Sequence, residues 1–374
     1  MHTYYHILDF LKNRELNELY ATIALRSLAL AMIVIFIPIY LLQLGYSLTA
    51  VFVFYLVLNI ARVFFMVAAA KIASRRGFKH VMFYHVPFMI IFYILLYNLE
   101  NYGENIPLWI PAIFLAAGSS LFWMGYHLDF AKFSNKKTRG REIGFSKIFS
   151  SIFHVAGPFI GGLILYYFSF KILFTVVSII LFFSVSPLFF SKDIHSPLTI
   201  SLKSIFNKKK IKSAFAHMGF GIESSVAIVI WPIFIFAILD SYVVLGLVSS
   251  FGLLFSLIAT FIIAKFSDAR RRLVLRLGAV FTALIWFLKV FITTGLQIFI
   301  VDSIHGVTRT MKYISFDALS YDKANKGGIM EHMVFREVFI NFGRVVLYSI
   351  LILTSDLVGG LIMGGGSSLL VMFF

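Results

Sequence analysis

Continuous apolar runs, separated by short polar turns, recur along the whole chain. A helix rising ~1.5 Å per residue needs about 20 such residues to cross ~30 Å of hydrocarbon, so each run predicts a membrane-spanning α-helix. Twelve are counted, over residues 20–42, 50–72, 80–98, 108–130, 144–168, 171–190, 214–239, 241–265, 273–294, 295–318, 331–355 and 356–374. The runs are unbroken rather than alternating, which argues against the short strands of a membrane β-barrel. Residues 1–19 hold Asp9, Lys12, Arg14, Glu15 and Glu18 and no apolar run ending in small residues, so they do not read as a signal peptide. Tyr5, Leu8, Leu11 and Leu19 fit one side of a short interfacial helix, or the segment is a polar tail.

Composition sharpens this picture. Of 374 residues, 60% are hydrophobic and 13% charged, with mean hydropathy +0.91. A water-soluble globule has no means of covering that much apolar surface. The formal charge of +16 is distributed by turn. Basic residues cluster in alternate turns, at Lys71–Lys79, Lys132–Arg141, Lys203–Lys212, Arg270–Arg276 and Lys323–Lys326, while the intervening turns carry Glu100, Glu104, Asp240 and Asp356 with Lys171. By the positive-inside rule this predicts a multi-pass protein of the cytoplasmic membrane with both termini in the cytoplasm. The stretch 191–213 divides the chain into a first half (1–190) and a second (214–374), and its NKKKIK run reads as a solvated linker ahead of a nucleic-acid or lipid-headgroup site. With no cysteine there is no disulfide or thiolate metal site. No P-loop, dinucleotide-binding glycine fingerprint, H-E-x-x-H or nucleophile elbow interrupts the runs, so enzymatic chemistry, a metal and a cofactor all lack a basis in the sequence.

The halves repeat. A shift of 194 residues lays IPIYLLQLGYSL, from Ile37, on WPIFIFAILDSY, from Trp231, bringing Pro38 onto Pro232. The same shift lays AKIASRRGFK, from Ala70, on AKFSDARRRL, from Ala264, and a shift of 188 brings Asp129 onto Asp317. Three landmarks in order predict two six-helix units in parallel repeat, a plan used by carriers whose site lies between the units.

These residues resemble the major facilitator superfamily, over nearly the whole chain. The family's turn after the second helix reads G-x-x-x-D-R-x-G-R-R/K; Ala70, Ser74, Arg75, Gly77 and Lys79 occupy those places, and the repeat offers Asp268, Arg271 and Arg272. Asp129, Arg139 and Gly140 match the loop between helices four and five. The resemblance implies a cytoplasmic gate built from Arg75, Gly77, Lys79, Asp129, Arg139, Asp268, Arg272 and Asp317, whose ion pairs break on opening. On helix five, Gly157, Pro158, Gly161 and Gly162 are similar to the G-x-x-x-G-P-x-x-G-G pattern of the family's exporters, with Phe153 in place of the first Gly. Small residues there allow close packing against another helix.

In that fold, helices one, four, seven and ten line a central cavity. Helix one carries Arg26, helix four Trp123 and His127 one turn apart, and helix seven Glu223, roughly 14 Å into the membrane at ~1.5 Å per residue. Helix ten carries Asp302, His305, Arg309 and Lys312 on one face. Charges in hydrocarbon need a reason. Either Glu223 or the Asp302/His305 pair takes up a proton while Arg26 or Arg309 holds a charged partner, or the set forms permanent ion pairs. Asn59 and Arg62 on helix two, with Glu337, Asn341 and Arg344 on helix eleven, read as structural or gating pairs. His154 reads as a packing histidine and Lys289 as an outward residue reaching for the interface.

The expectation is a secondary transporter moving a small-molecule substrate by alternating access, in exchange with protons or another ion, in the export direction. Uptake by symport is the first alternative. A sensor, assembly partner or lipid scramblase of the same fold is the second.

Overall fold

The computed structural model describes residues 13–133, 139–193, 210–326 and 329–374, and among these the chain is helical with no strand. The helices are α1 (Arg14–Ala31), α2 (Ile37–Gln43), α3 (Leu48–Arg76), α4 (Phe78–Tyr102), α5 (Trp109–Phe133), α6 (Arg139–Tyr167), α7 (Phe170–Ser184), α8 (Ile211–Ser225), α9 (Trp231–Leu239), α10 (Tyr242–Lys289), α11 (Gly295–Lys326), α12 (Ile329–Thr354) and α13 (Leu357–Leu370). Eight stretches are long and apolar enough to cross a membrane: α3, α4, most of α5, Ile148–Tyr167 of α6, Phe170–Phe190, the continuous run Ile211–Leu239, Tyr242–Ile263 of α10 and Glu331–Thr354 of α12. The protein is therefore polytopic. α11 falls outside that set because Asp302, Arg309, Lys312 and Asp317 all interrupt its apolar surface.

Two irregular segments precede Pro38 and Pro232. Residues 32–36 form turns between α1 and α2, and Val226–Ile230 form a π-helical turn between α8 and α9. In each case the proline occupies the start of the next helix. It has no N–H to continue the preceding ladder, so the backbone ahead of it rearranges. At two places a single residue joins consecutive helical segments. Gly77, at φ 105°, ends α3 and begins α4, and Arg270, at φ −142° and ψ 53°, breaks α10.

Gly77 has a second constraint. The Asp193 carboxylate fills the space a Cβ would need, and it accepts from the Lys79 and His80 backbone N–H groups, each at 3.0 Å, thereby capping α4. Beside it the buried Lys79 ammonium meets Glu15 at 2.5 Å, Glu18 at 2.9 Å and the Ser191 hydroxyl. Glu15 and Glu18 thus belong to a packed cluster tying α1 to α4 and to the start of the segment that joins the halves. Residues 1–12, the subject of the interfacial-helix expectation, lie outside the described residues, as do 194–209 of the linker.

α6 lies against two helices at once. A Cβ on Gly157 or Gly161 would strike Ala31, the last residue of α1, or Met32 just past it, and one on Gly162 would come to 2.6 Å of the Tyr242 carbonyl oxygen on α10. Opposite, Gly246 of α10 meets the Pro158 carbonyl, and the Phe159 N–H donates to the Ser250 hydroxyl at 3.1 Å. Close helix packing through small residues is the means by which helices associate where water supplies no hydrophobic drive. Gly162→Leu should destabilise the protein by about 1–3 kcal/mol through overpacking, read as a lower midpoint of thermal unfolding in detergent; an unchanged midpoint would mean that α6 and α10 do not approach this closely.

Candidate functional site

Charged side chains inside the bundle sort into two sets. The first is built on α8, α10 and α11 around Glu223, which is fully buried. Lys312 lies 3.1 Å from its Oε2, Tyr313 donates to the same oxygen at 3.3 Å and Trp286 donates to Oε1 at 3.3 Å. His305 Nε2 and Arg309 Nε stand 3.7 and 3.9 Å from Oε1. One turn away on α11, Asp302 accepts from Lys289 at 2.7 Å and from the Trp231 indole at 2.9 Å. Lys289 also donates to His305 Nδ1 at 3.0 Å. An ammonium has only donors, so Nδ1 accepts and Nε2 carries the hydrogen toward Glu223. Lys289 does not point outward as expected. It is fully buried, with its ammonium 4.0 and 4.4 Å from the Trp231 and Trp286 rings, because a lysine at that depth gains more from Asp302 and two aromatic faces than from stretching to the interface.

The second set lines a cavity of about 410 Å³ between α1, α3, α5, α8 and α12. Arg26, Asn59, Arg62, Trp123, His127, His154, Arg336, Glu337, Asn341 and Arg344 face it, in an otherwise largely apolar wall that includes Tyr55, Tyr93 and Tyr348. Arg26 is buried, its guanidinium 3.9 Å from the Phe122 ring centre and 5.4 Å from that of Trp123. Arg62 donates to Ser119 at 3.0 Å, and Arg344 to Asn341 at 3.2 Å and Ser224 at 3.3 Å. His154 hydrogen-bonds the Ser27 backbone, so a packing role and a lining role coincide. A second cavity of about 200 Å³ adjoins; Trp123, His127 and Arg336 border both, and Arg336 is tied to Asp317 at 3.0 Å.

The residues read in sequence as structural pairs, Asn59, Arg62, Glu337, Asn341 and Arg344, are thus gathered on the cavity. Of the coupling candidates, Arg26, Trp123 and His127 join them, whereas Glu223, Asp302, His305 and Arg309 form the neighbouring network. Three consecutive residues of α8 connect the sets: Glu223 anchors the network, Ser224 holds Arg344 and Ser225 faces the cavity. Arg336 escaped sequence reading; its signal is an Arg-Glu dipeptide, Arg336–Glu337, inside an apolar helix. Among the gate candidates, Lys79 joins the cluster with Glu15 and Glu18, Asp317 pairs with Arg336, and Asp129 is buried with Oδ2 unpartnered. Arg75 and Arg272 are exposed and meet no carboxylate among the described residues. The side chains of Arg139 and Asp268 lie outside the described set.

No protein family model matches the chain. An uncharacterized protein of Bacillus subtilis (strain 168), YqgE, is 23% identical over 297 residues, which is 74% of this chain and 68% of that protein. Two solved structures of POT family transporters superpose with a TM-score of 0.73. One, in complex with 5-aminolevulinic acid, is 12% identical and is matched over 96% of this chain and 95% of its own. The other, in complex with a thioalcohol conjugated peptide, is 11% identical over 96% and 94%. The chain has the fold of these transporters.

The Glu223 network predicts its own energetics. Removing one member of a buried ion pair strands the other, so Glu223→Gln should cost about 3–5 kcal/mol. Lys312→Met in the same chain should restore part of the loss, giving a double variant more stable than the sum of single effects. Unfolding in mixed detergent micelles measures the cycle; additive losses would remove the pairing.

Proposed function

We propose that this protein is a secondary transporter that carries a small molecule across the cell membrane by alternating access, with the cavity as its transport site. The observation that carries this reading is the cavity itself. It is walled by helices from both halves of the chain, within the size range of small-molecule sites, in a fold shared with transporters. The architecture we take is twelve passes in two six-helix units, 1–190 and 214–374, joined by 191–213, with both termini cytoplasmic. The irregular segments before Pro38 and Pro232 and the one-residue turns at Gly77 and Arg270 support it, since the two pairs fall 194 and 193 residues apart.

Opposite the basic turns the two units touch. Thr49 and Ser355 share a hydrogen bond of 3.0 Å, and the Tyr242 hydroxyl meets the Gln43 side chain. In this reading these contacts close the outer mouth and separate when the units rock. Glu337 is the one carboxylate among the described residues lining the cavity, close to the Arg336 guanidinium at 3.8 Å. It is the group we assign to proton coupling. The Gly157–Gly162 segment is accounted for by packing on α1 and α10 and needs no direction of transport, so export loses its chief support. Cations outnumber carboxylates on the cavity wall, which favours symport, because a bound proton on Glu337 and a bound anion offset one another's charge.

Two outcomes test the reading. The chain has no cysteine, so Thr49→Cys with Ser355→Cys gives a clean pair. Cross-linking it in proteoliposomes should arrest substrate exchange, and reduction should restore it; exchange that continues with the link in place would sink alternating access at this mouth. Glu337→Gln should keep substrate exchange yet lose substrate-driven proton movement, read with a trapped pH dye. Proton movement of wild-type size in that variant would take Glu337 out of the coupling.

A further inference from the structure

We propose that the cavity takes a small organic dianion, two acidic groups on an apolar or aromatic body. This rests on the cavity being the transport site. Three guanidinium groups face it with no carboxylate of their own among the described residues. Arg26, on α1, is 3% exposed, with Nε unpartnered, and it is held by aromatic rings. Arg62, on α3, and Arg344, on α12, are oriented by Ser119, Asn341 and Ser224, which are neutral. Such partners direct a guanidinium and leave its charge uncancelled. Arg336 differs, being tied to Asp317. Against the three stands Glu337, so the wall carries an excess of two positive charges.

That excess is costly to hold at membrane depth. Guanidinium groups gathered in a low-dielectric space repel one another and call for a counter-charge. The neighbouring network shows the alternative arrangement within the same protein, with Lys312 and Lys289 each given a carboxylate at 3.1 Å or less. At the cavity the described residues supply Glu337 alone against the three, so the rest of the balancing charge comes from the cargo. Arginine's planar fork suits carboxylate and phosphate oxygens, which it can grip in pairs. The rest of the wall sets the remainder of the ligand. Leu30, Val34, Met89, Tyr93, Leu115 and Ile228 offer apolar and aromatic contact, which favours a hydrocarbon body over a bare ion. Arg26 and Arg62 lie in the first half and Arg344 in the second, so one dianion draws the two units together and contributes to closure around itself.

Wild-type protein in detergent is heated with each member of a probe panel at equal millimolar concentration: terephthalate, phenyl phosphate, benzoate, inorganic phosphate and benzylamine. The two aromatic dianions should raise the unfolding midpoint by several degrees, benzoate and inorganic phosphate less, and benzylamine not at all. The stronger of terephthalate and phenyl phosphate distinguishes a dicarboxylate from a phosphate monoester. Arg62→Gln and Arg344→Gln should each weaken dianion binding at least tenfold. Both should unfold, without ligand, no lower than wild type, because each relieves repulsion; this separates a lost site from a lost fold. Stabilisation by benzylamine in preference to the dianions, or dianion binding unaltered in both variants, overturns the proposal, as does a panel in which no dianion shifts the midpoint. If the Thr49/Ser355 cross-link still gates exchange, such a result removes the dianion and leaves the carrier; if the cross-link has no effect, it is the carrier reading that fails.

Discussion

Glu223 is the point at which the second half of the chain is held together electrically. A carboxylate with no access to water is tolerated only where donors surround it, and here α8 supplies the acid while α10 and α11 supply Trp286, His305, Lys312 and Tyr313. Three helices are fixed in register by that one group. The π-helical turn Val226–Ile230 that follows it leads into α9, with Pro232 at that helix's start. Ser224 then carries the position of this anchor to Arg344, and so to the cavity wall.

The two charged sets obey opposite logic in the same hydrophobic surroundings. In the network every cation has an acid or an aromatic face, and the group as a whole is close to self-sufficient. At the cavity Arg62 and Arg344 have hydroxyl and amide partners and Arg26 has aromatic rings, which fix geometry without cancelling charge, and of the four arginines there Arg336 is the one tied to a carboxylate. A site that must bind and release a charged cargo cannot be satisfied by its own walls, whereas a structural cluster must be. Burial alone does not separate the two cases; the identity of the partner does.

The sequence carried the helical, multi-pass character of the chain. Run length marked the eight apolar stretches long enough to cross a membrane, the basic turns at Gly77 and the Arg270 region fell at real breaks, and Pro38 and Pro232, read as repeat landmarks, each follow an irregular segment inside a run that was read as one span. Glu223, Asp302, His305 and Lys312 were legible as a set because three of them share one face of α11. What could not be read was where that face points. A helical stripe specifies neighbours along its own helix and says nothing of which neighbouring helix it meets, so Lys289 was assigned outward and the α3 and α12 residues were assigned to bracing. Glu15 and Glu18 were hidden for a related reason: their partner, Lys79, is more than sixty residues away in the chain.

The single-residue junctions have a mechanical meaning. Gly77 between α3 and α4, and Arg270 within α10, leave no slack between the helical segments that they join, and Asp193 pins one of them to the segment that follows α7. Helices joined in this way turn as stiff elbows. Bending therefore concentrates in the interiors of the passes, at residues 32–36 and Val226–Ile230, where the backbone has already left the regular α-helix. At these two junctions the turn is the stiff part, and the give lies in the irregular segments within other helical runs.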